Sequence, residues 1–306
     1  MRNIRSQFEY AIQSSFEKGK GASKHSDKIN GTKNGKIYSY SSLHSRQDVS
    51  REFANFLKSK HKEIRMAYQI EKEHIEEFIY SKKDSCTTET LNTYRSNLAG
   101  LAENLNRTYG IKVDFSCPKV IGCNGTKDIR TNPMLEDDLK ILLQSYKADT
   151  SGYNAVALAT VGGLRVSEIA KLQNRDVEIV NSEQAFIHII DGKGKRNRDI
   201  SITEKEGIKR LQELKSCRVS EYDRFVNCNS KSLSENLNRH MKSTNVKDKY
   251  LKQGFHSIRK MWAQKQFDDY RQTHTKQETL GFVSEQLGHS SARDMKTLQR
   301  YISNIY

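Results

Sequence analysis

Helical periodicity runs through almost the whole of this 306-residue chain and gives way to strand-like runs in only one stretch, between residues 177 and 202. There 177–180, 185–190 and 198–202 are rich in β-branched residues, and the Asp191-Gly192 step with Gly194 supplies a turn between the last two. The pattern predicts a mainly α chain carrying one small antiparallel β-sheet.

The helical stretches divide into two groups. From 46 to 110, Val49, Phe53, Phe56 and Leu57 mark one apolar stripe, and Ile64, Tyr68, Ile75, Phe78 and Ile79 a second. Leu91, Tyr94, Leu98, Leu101 and Leu105 mark a third in steps of three and four, behind Thr87 or Thr88 as cap and with Gly110 as stop. This predicts a small bundle of three or four helices. Residues 1–45 place Gly19, Gly21, Gly31 and Gly35 among Lys, Ser and Asn, and only Phe8, Ile12 and Phe16 keep a helical spacing. They read as a short helix followed by a flexible basic arm. Residues 111–126 lose the pattern around Pro118, Gly122 and Gly125 and read as a linker. The second domain is expected over 127–306, opening with Asn132 as cap and Pro133 as the first helical residue. After the strands, Ile208 with Leu211 and Leu214, Leu233 with Leu237 and Met241, and Phe255 with Ile258 and Trp262 mark three further helices.

Lys and Arg outnumber Asp and Glu by 52 to 37, a formal charge of +15, which calls for a polyanionic partner such as nucleic acid. No apolar run approaches the roughly 18 residues that cross a bilayer, and the N-terminus has no apolar signal core, so a soluble, intracellular chain is expected. Cys86, Cys117, Cys123, Cys217 and Cys228 are odd in number and lack C-x-x-C spacing, which indicates neither a disulfide framework nor a zinc site.

The residues that carry chemistry fall in the second group. Gly162-Gly163-Leu164-Arg165 places an arginine at a glycine turn where a helix begins, a setting suited to a phosphate oxygen and equally to a surface ion pair. Lys193 stands at the expected hairpin tip, where an ammonium can reach a leaving oxygen, with Lys195 and Arg196 as competitors. His256 and Arg259 are three apart, so on a helix they share one side. Leu287-Gly288-His289 makes a turn, and Ser291 with Asp294 reads as a capping box for a helix with Met295, Leu298, Ile302 and Ile305 inward and Tyr301 at the edge. Two arginines, a lysine and two histidines can hold and neutralise one phosphodiester, and a tyrosine near the chain end can attack it.

These motifs resemble those of the tyrosine recombinase (phage integrase) family: Gly163-Leu164-Arg165 with Ser167-Glu168, Gly192-Lys193-Gly194, His256 to Arg259, Leu287-Gly288-His289 and Tyr301 occur in that family's order. The stretch 46–110 is similar to its helical, SAM-like core-binding domain, and 127–306 to its α+β catalytic domain, which together would clamp DNA. Lys260 stands where a further histidine is common, and the twelve positions from His289 to Tyr301 are slightly more than usual, which keeps Tyr306 as a rival nucleophile.

The resemblance implies site-specific cleavage and rejoining of DNA through a 3′-phosphotyrosyl intermediate. Arg165 and Arg259 would clamp the nonbridging oxygens, His256 accept or orient a proton, His289 donate to the phosphate, Lys193 protonate the 5′-oxygen, and Glu168 support the site. A free phenol ionises only near pH 10, so Tyr301 would need this activation. The implied partners are double-stranded recombination sites, a homotetramer in a synaptic complex and an accessory DNA-bending or directionality protein, in the bacterial cytoplasm and without a membrane. No nucleotide cofactor and no metal are implied; no P-loop or Mg²⁺-binding carboxylate cluster is present in the sequence. Integration and excision of a mobile element is the expected role. A chromosome-dimer resolvase, an invertase, a relaxing topoisomerase and a catalytically silent DNA-binding accessory protein are the alternatives of similar chemistry or fold, and a metal-dependent nuclease the alternative of different chemistry.

Overall fold

The computed structural model describes residues 3–119, 132–192, 197–250, 253–289 and 298–303. The chain divides into two compact units, Met1–Lys127 and Asp128–Tyr306.

The first unit is helical: α1 (Ile4–Gly19), α2 (Lys24–Ile29), α3 (Tyr40–Lys60), α4 (Lys72–Ser81) and α5 (Thr88–Tyr109). Thr87 caps α5, its hydroxyl accepting the Thr90 amide, and Gly110 ends the helix with φ +67, the left-handed conformation that glycine takes freely. The core gathers Phe8 of α1, Phe53 of α3, Phe78 of α4 and Phe115, with Phe53 lying 5.1 Å from the Phe78 ring and 6.1 Å from those of Phe8 and Phe115.

This differs from the expected flexible arm over 1–45. Phe8, Ala11, Ile12 and Phe16 are buried in the same core as α3 and α5, and Ile37 joins them at 2 % exposure. Polar ties close the segment down: the Ile37 amide donates to Ser15 O, Asn104 Nδ2 of α5 to Gly35 O, and Arg107 to Ser15 Oγ. The glycines mislead here. Gly19 permits close packing rather than flexibility, since a Cβ there would stand 2.2 Å from the Ile37 carbonyl oxygen. Residues 111–119 also differ from a free linker, because Val113, Phe115 and Cys117 are buried in this core. The remainder of the expected linker, with Cys123, lies outside the described residues.

The second unit is mainly helical around a three-stranded sheet. It contains α6 (Glu136–Gln144), α7 (Ser151–Gly162), the single turn α8 (Val166–Ile169), β1 (Val177–Ile179), β2 (Ala185–Ile189), β3 (Arg198–Ile202), α9 (Lys205–Ser216), α10 (Ser230–Ser243), α11 (Phe255–Arg271) and α12 (Lys276–Gln286). The strands run antiparallel in the order β1-β2-β3, with Val177 opposite Ile187 and Ile187 opposite Ile200, so one face presents an unbroken apolar set to the core. Helix α7 has apolar residues on nearly every side, and Ala155 to Ala159 are fully buried, as expected of a helix surrounded by others. The first helix starts later than the Asn132-Pro133 step suggests. The Met134 amide donates to Ser257 O and the Leu135 amide to Tyr250 Oη, which keeps these residues out of the helix and moves the cap to Leu135.

Candidate active site

Three chain turns build the site. The first ends α7: Gly163 takes φ +57, and a Cβ there would lie 2.3 Å from the Trp262 ring, so both conformation and packing demand glycine. Trp262 Nε1 donates to Val161 O at 2.9 Å and joins α11 to the end of α7. Arg165 follows as the residue that opens α8. Helix α8 is one turn long, and Glu168 Oε2 accepts the Arg165 amide at 2.9 Å.

The second turn opens α11. Gly254, with φ +45, precedes the helix; His256 lies in its first turn and Arg259 one turn further, with only 2 % of Arg259 exposed. The third turn closes α12. Gly288, with φ +68, lets the His289 amide return to Ser284 O at 2.9 Å and aims the Leu287 carbonyl inward.

That carbonyl is the pivot. Arg165 Nη2 donates to Leu287 O at 3.0 Å and Arg259 Nη2 donates to the same oxygen at 2.6 Å, so two guanidinium groups stand side by side. Arg259 Nη1 also donates to Gly163 O. Each guanidinium has five N–H donors, and these bonds use two of those on Arg259, which leaves capacity for an anion. Burial, and then the neighbouring Arg165 charge, lower the Arg259 guanidinium to about 10.

A buried carboxylate balances the pair. Glu168, whose side chain is 3 % exposed, accepts from Arg165 Nη1 through Oε1 at 2.9 Å and from Arg198 through both oxygens, at 2.9 and 2.8 Å. Burial raises the Glu168 carboxyl, but the hydrogen bond and charge of Arg198, with those of Arg165, outweigh it and hold the group down at about 2. Arg198 is the residue that sequence reasoning missed. It begins β3, and its Nε donates to Gln286 O at 2.9 Å, so it links sheet, α8 and α12. An arginine two residues before Ile200, on the same face of the alternating strand as the buried Ile200 and Ile202, is the signal that was available.

Tyr301 stands in this group. Its ring lies edge-on to His256 at 5.1 Å and 5.7 Å from His289, with the Arg259 guanidinium carbon 5.6 Å from the ring centre. Leu298 and Ile302, at 4 % and 1 % exposure, anchor the segment that carries it, and the Ser303 amide donates to Gln264 Oε1. The structure thus brings together Arg165, His256, Arg259, His289 and Tyr301. Lys193, its competitors Lys195 and Arg196, the Ser291–Asp294 capping pair and the rival Tyr306 lie outside the described residues.

The arrangement fits what sequence comparison finds: the model of the phage integrase family matches residues 133–305. The chain belongs to the phage integrase family. Its enzyme class is accordingly that of the tyrosine site-specific recombinases. Solved structures of similar fold include the XerH site-specific recombinase in a post-cleavage complex with palindromic difH, 16 % identical over 98 % of this chain and 90 % of that one, with a TM-score of 0.63. A lambda integrase tetramer bound to a Holliday junction is 15 % identical over 98 % of this chain and 77 % of that one, at 0.61. The Tn1549 transposon integrase with circular intermediate DNA is 13 % identical over 98 % and 95 %, at 0.58. Comparison with curated proteins gives no match. Among the described residues of this phage integrase family member, no helix is long and apolar enough to cross a membrane.

Proposed function

We propose that this chain cleaves and rejoins DNA at specific sites through a 3′-phosphotyrosyl intermediate on Tyr301. The observation that carries the reading is the packing of one tyrosine against two imidazoles and a buried guanidinium that shares a carbonyl with a second guanidinium. In the proposed reaction Tyr301 Oη attacks the scissile phosphorus, a P–O(Tyr) bond forms and the bond to the 5′-oxygen breaks. The phenolic proton passes to His256 and the departing 5′-oxygen takes a proton from Lys193. Arg165, Arg259 and His289 hold the nonbridging oxygens as charge builds. The 5′-hydroxyl of another strand reverses these steps, and since one phosphodiester is exchanged for another, no nucleotide is consumed.

The partners proposed are double-stranded recombination sites and three further copies of the chain, in keeping with the lambda integrase tetramer on a Holliday junction. The setting proposed is integration and excision of a mobile element in the bacterial cytoplasm. The family, together with lambda integrase and the Tn1549 transposon integrase among the similar folds, supports it.

The test uses a nicked suicide duplex carrying the DNA that flanks the gene, incubated with the full chain in EDTA. A protein–DNA adduct that survives a denaturing gel is the expected result. Cleavage that appears only when Mg²⁺ or Mn²⁺ is restored, without an adduct, would overturn the proposal in favour of a metal-dependent nuclease.

A further inference from the structure

The first unit holds a cluster that the recombination chemistry does not use. His61 caps the C-terminus of α3, Glu63 follows two residues later, and His74 lies in the first turn of α4. One potential ligand atom from each lies within 4.8 Å of the others, and among the described residues this is the only such group. We propose that His61, Glu63 and His74 form a Zn²⁺ site that ties the end of α3 to the start of α4.

The orientation of His61 carries the proposal. Its Nε2 is 2.8 Å from Glu77 Oε2, and an ionised carboxylate only accepts, so the ring proton sits on Nε2. Nδ1 faces Glu63, whose Oε1 is 3.5 Å away, and becomes a ligand atom when a metal ion takes the place of a proton there. Two ligands each about 2.0–2.1 Å from one zinc ion, at the tetrahedral angle, are about 3.4 Å apart. That matches the observed gap, which is long for a hydrogen bond. A carboxylate on the far nitrogen of a metal-binding histidine is the arrangement that fixes ring direction and strengthens the ligand, and Glu77 provides it. The His61 side chain is 19 % exposed and its ring stands edge-on to that of His74 at 4.6 Å, so entry from solvent is open while the two imidazoles are already neighbours.

His74 has to move. Its Nδ1 now accepts the Glu71 amide at 3.0 Å. Coordination through Nδ1 takes that lone pair, and coordination through Nε2 puts the proton on Nδ1, so either mode releases the Glu71 amide. The α4 start therefore rearranges on loading, and the fourth position is left to water, as in open tetrahedral sites. Two imidazoles and a carboxylate suit zinc better than Mg²⁺ or Ca²⁺, which favour all-oxygen shells.

Calorimetric titration of the full chain, stripped of metal and then given ZnCl₂ alone, tests this. One Zn²⁺ per chain is expected, with affinity lost about 100-fold or more in His61→Ala and in His74→Ala. Glu77→Gln, which keeps every ligand, is expected to weaken binding by about 10- to 100-fold. Zn²⁺ should raise the melting temperature of the wild type and leave that of His74→Ala unmoved. Absence of saturable binding, or binding by His61→Ala or His74→Ala as tight as the wild type, would overturn the proposal.

Discussion

Tyr301→Phe is expected to form no covalent adduct with DNA and to join no strands, while binding the same duplex as tightly as the wild type. The substitution removes one oxygen and keeps the ring that meets His256, His289 and Arg259, so the packing around Leu298 and Ile302 persists. Only the proposed nucleophile is missing. Removing a covalent nucleophile lowers turnover by on the order of 10⁶-fold even with the rest of a site intact. A gel-shift titration beside a timed denaturing gel separates the two effects. A variant that still forms the adduct at a tenth of the wild-type rate would show that another residue attacks.

The second large effect is expected at Glu168. Four donor groups, the Arg165 amide and Nη1 and both terminal nitrogens of Arg198, converge on its buried carboxylate. Glu168→Ala leaves Arg165, Arg198 and the nearby Arg259 without a counter-charge, and breaking a buried ion pair in this way typically loses about 3–5 kcal/mol. For a unit of this size that lowers the melting temperature by roughly 6–20 °C. DNA cleavage falls as well, because Arg165 loses the partner that orients it.

The pH dependence has a definite sign. The Glu168 carboxyl moves from 4.5 to about 2 on folding, so its contribution, about 3 kcal/mol, is complete above pH 4.5 and is lost as the pH falls toward 2. Wild-type stability measured by denaturant across that window should decline by more than that of Glu168→Ala. Parallel curves would mean that Glu168 carries no special charge balance.

Much of this architecture is legible in the sequence because it rests on local signals. The single interruption of helical periodicity places the sheet, and β2 spans 185–189 where the run 185–190 was expected. Thr87 and Gly110 bound α5 through a hydroxyl cap and a left-handed turn, both properties of the residues themselves. The ordered motifs around Arg165, His256 and Leu287 are legible for the same reason: each is a glycine turn at a helix end, before α8, before α11 and after α12.

What the sequence concealed depends on distant partners. Gly19 and Gly35 resemble linker residues until Ile37 and Asn104 are brought against them, so α1 was separated from a core it helps to form. The start of α6 is set by Ser257 and Tyr250, more than a hundred residues away. Arg198 reads as the first residue of a strand, and its meaning comes only from Glu168 across the fold. The pairing of His61 with His74 is likewise invisible at a spacing of thirteen residues, and arises because the end of α3 meets the start of α4.

The most direct measurement locates the bond to DNA. The adduct formed on the suicide duplex is digested with protease and nuclease, and the peptide that carries a nucleotide remnant is sequenced by tandem mass spectrometry. The account predicts the remnant on Tyr301. A remnant on Tyr306, or on any residue other than Tyr301, would contradict it.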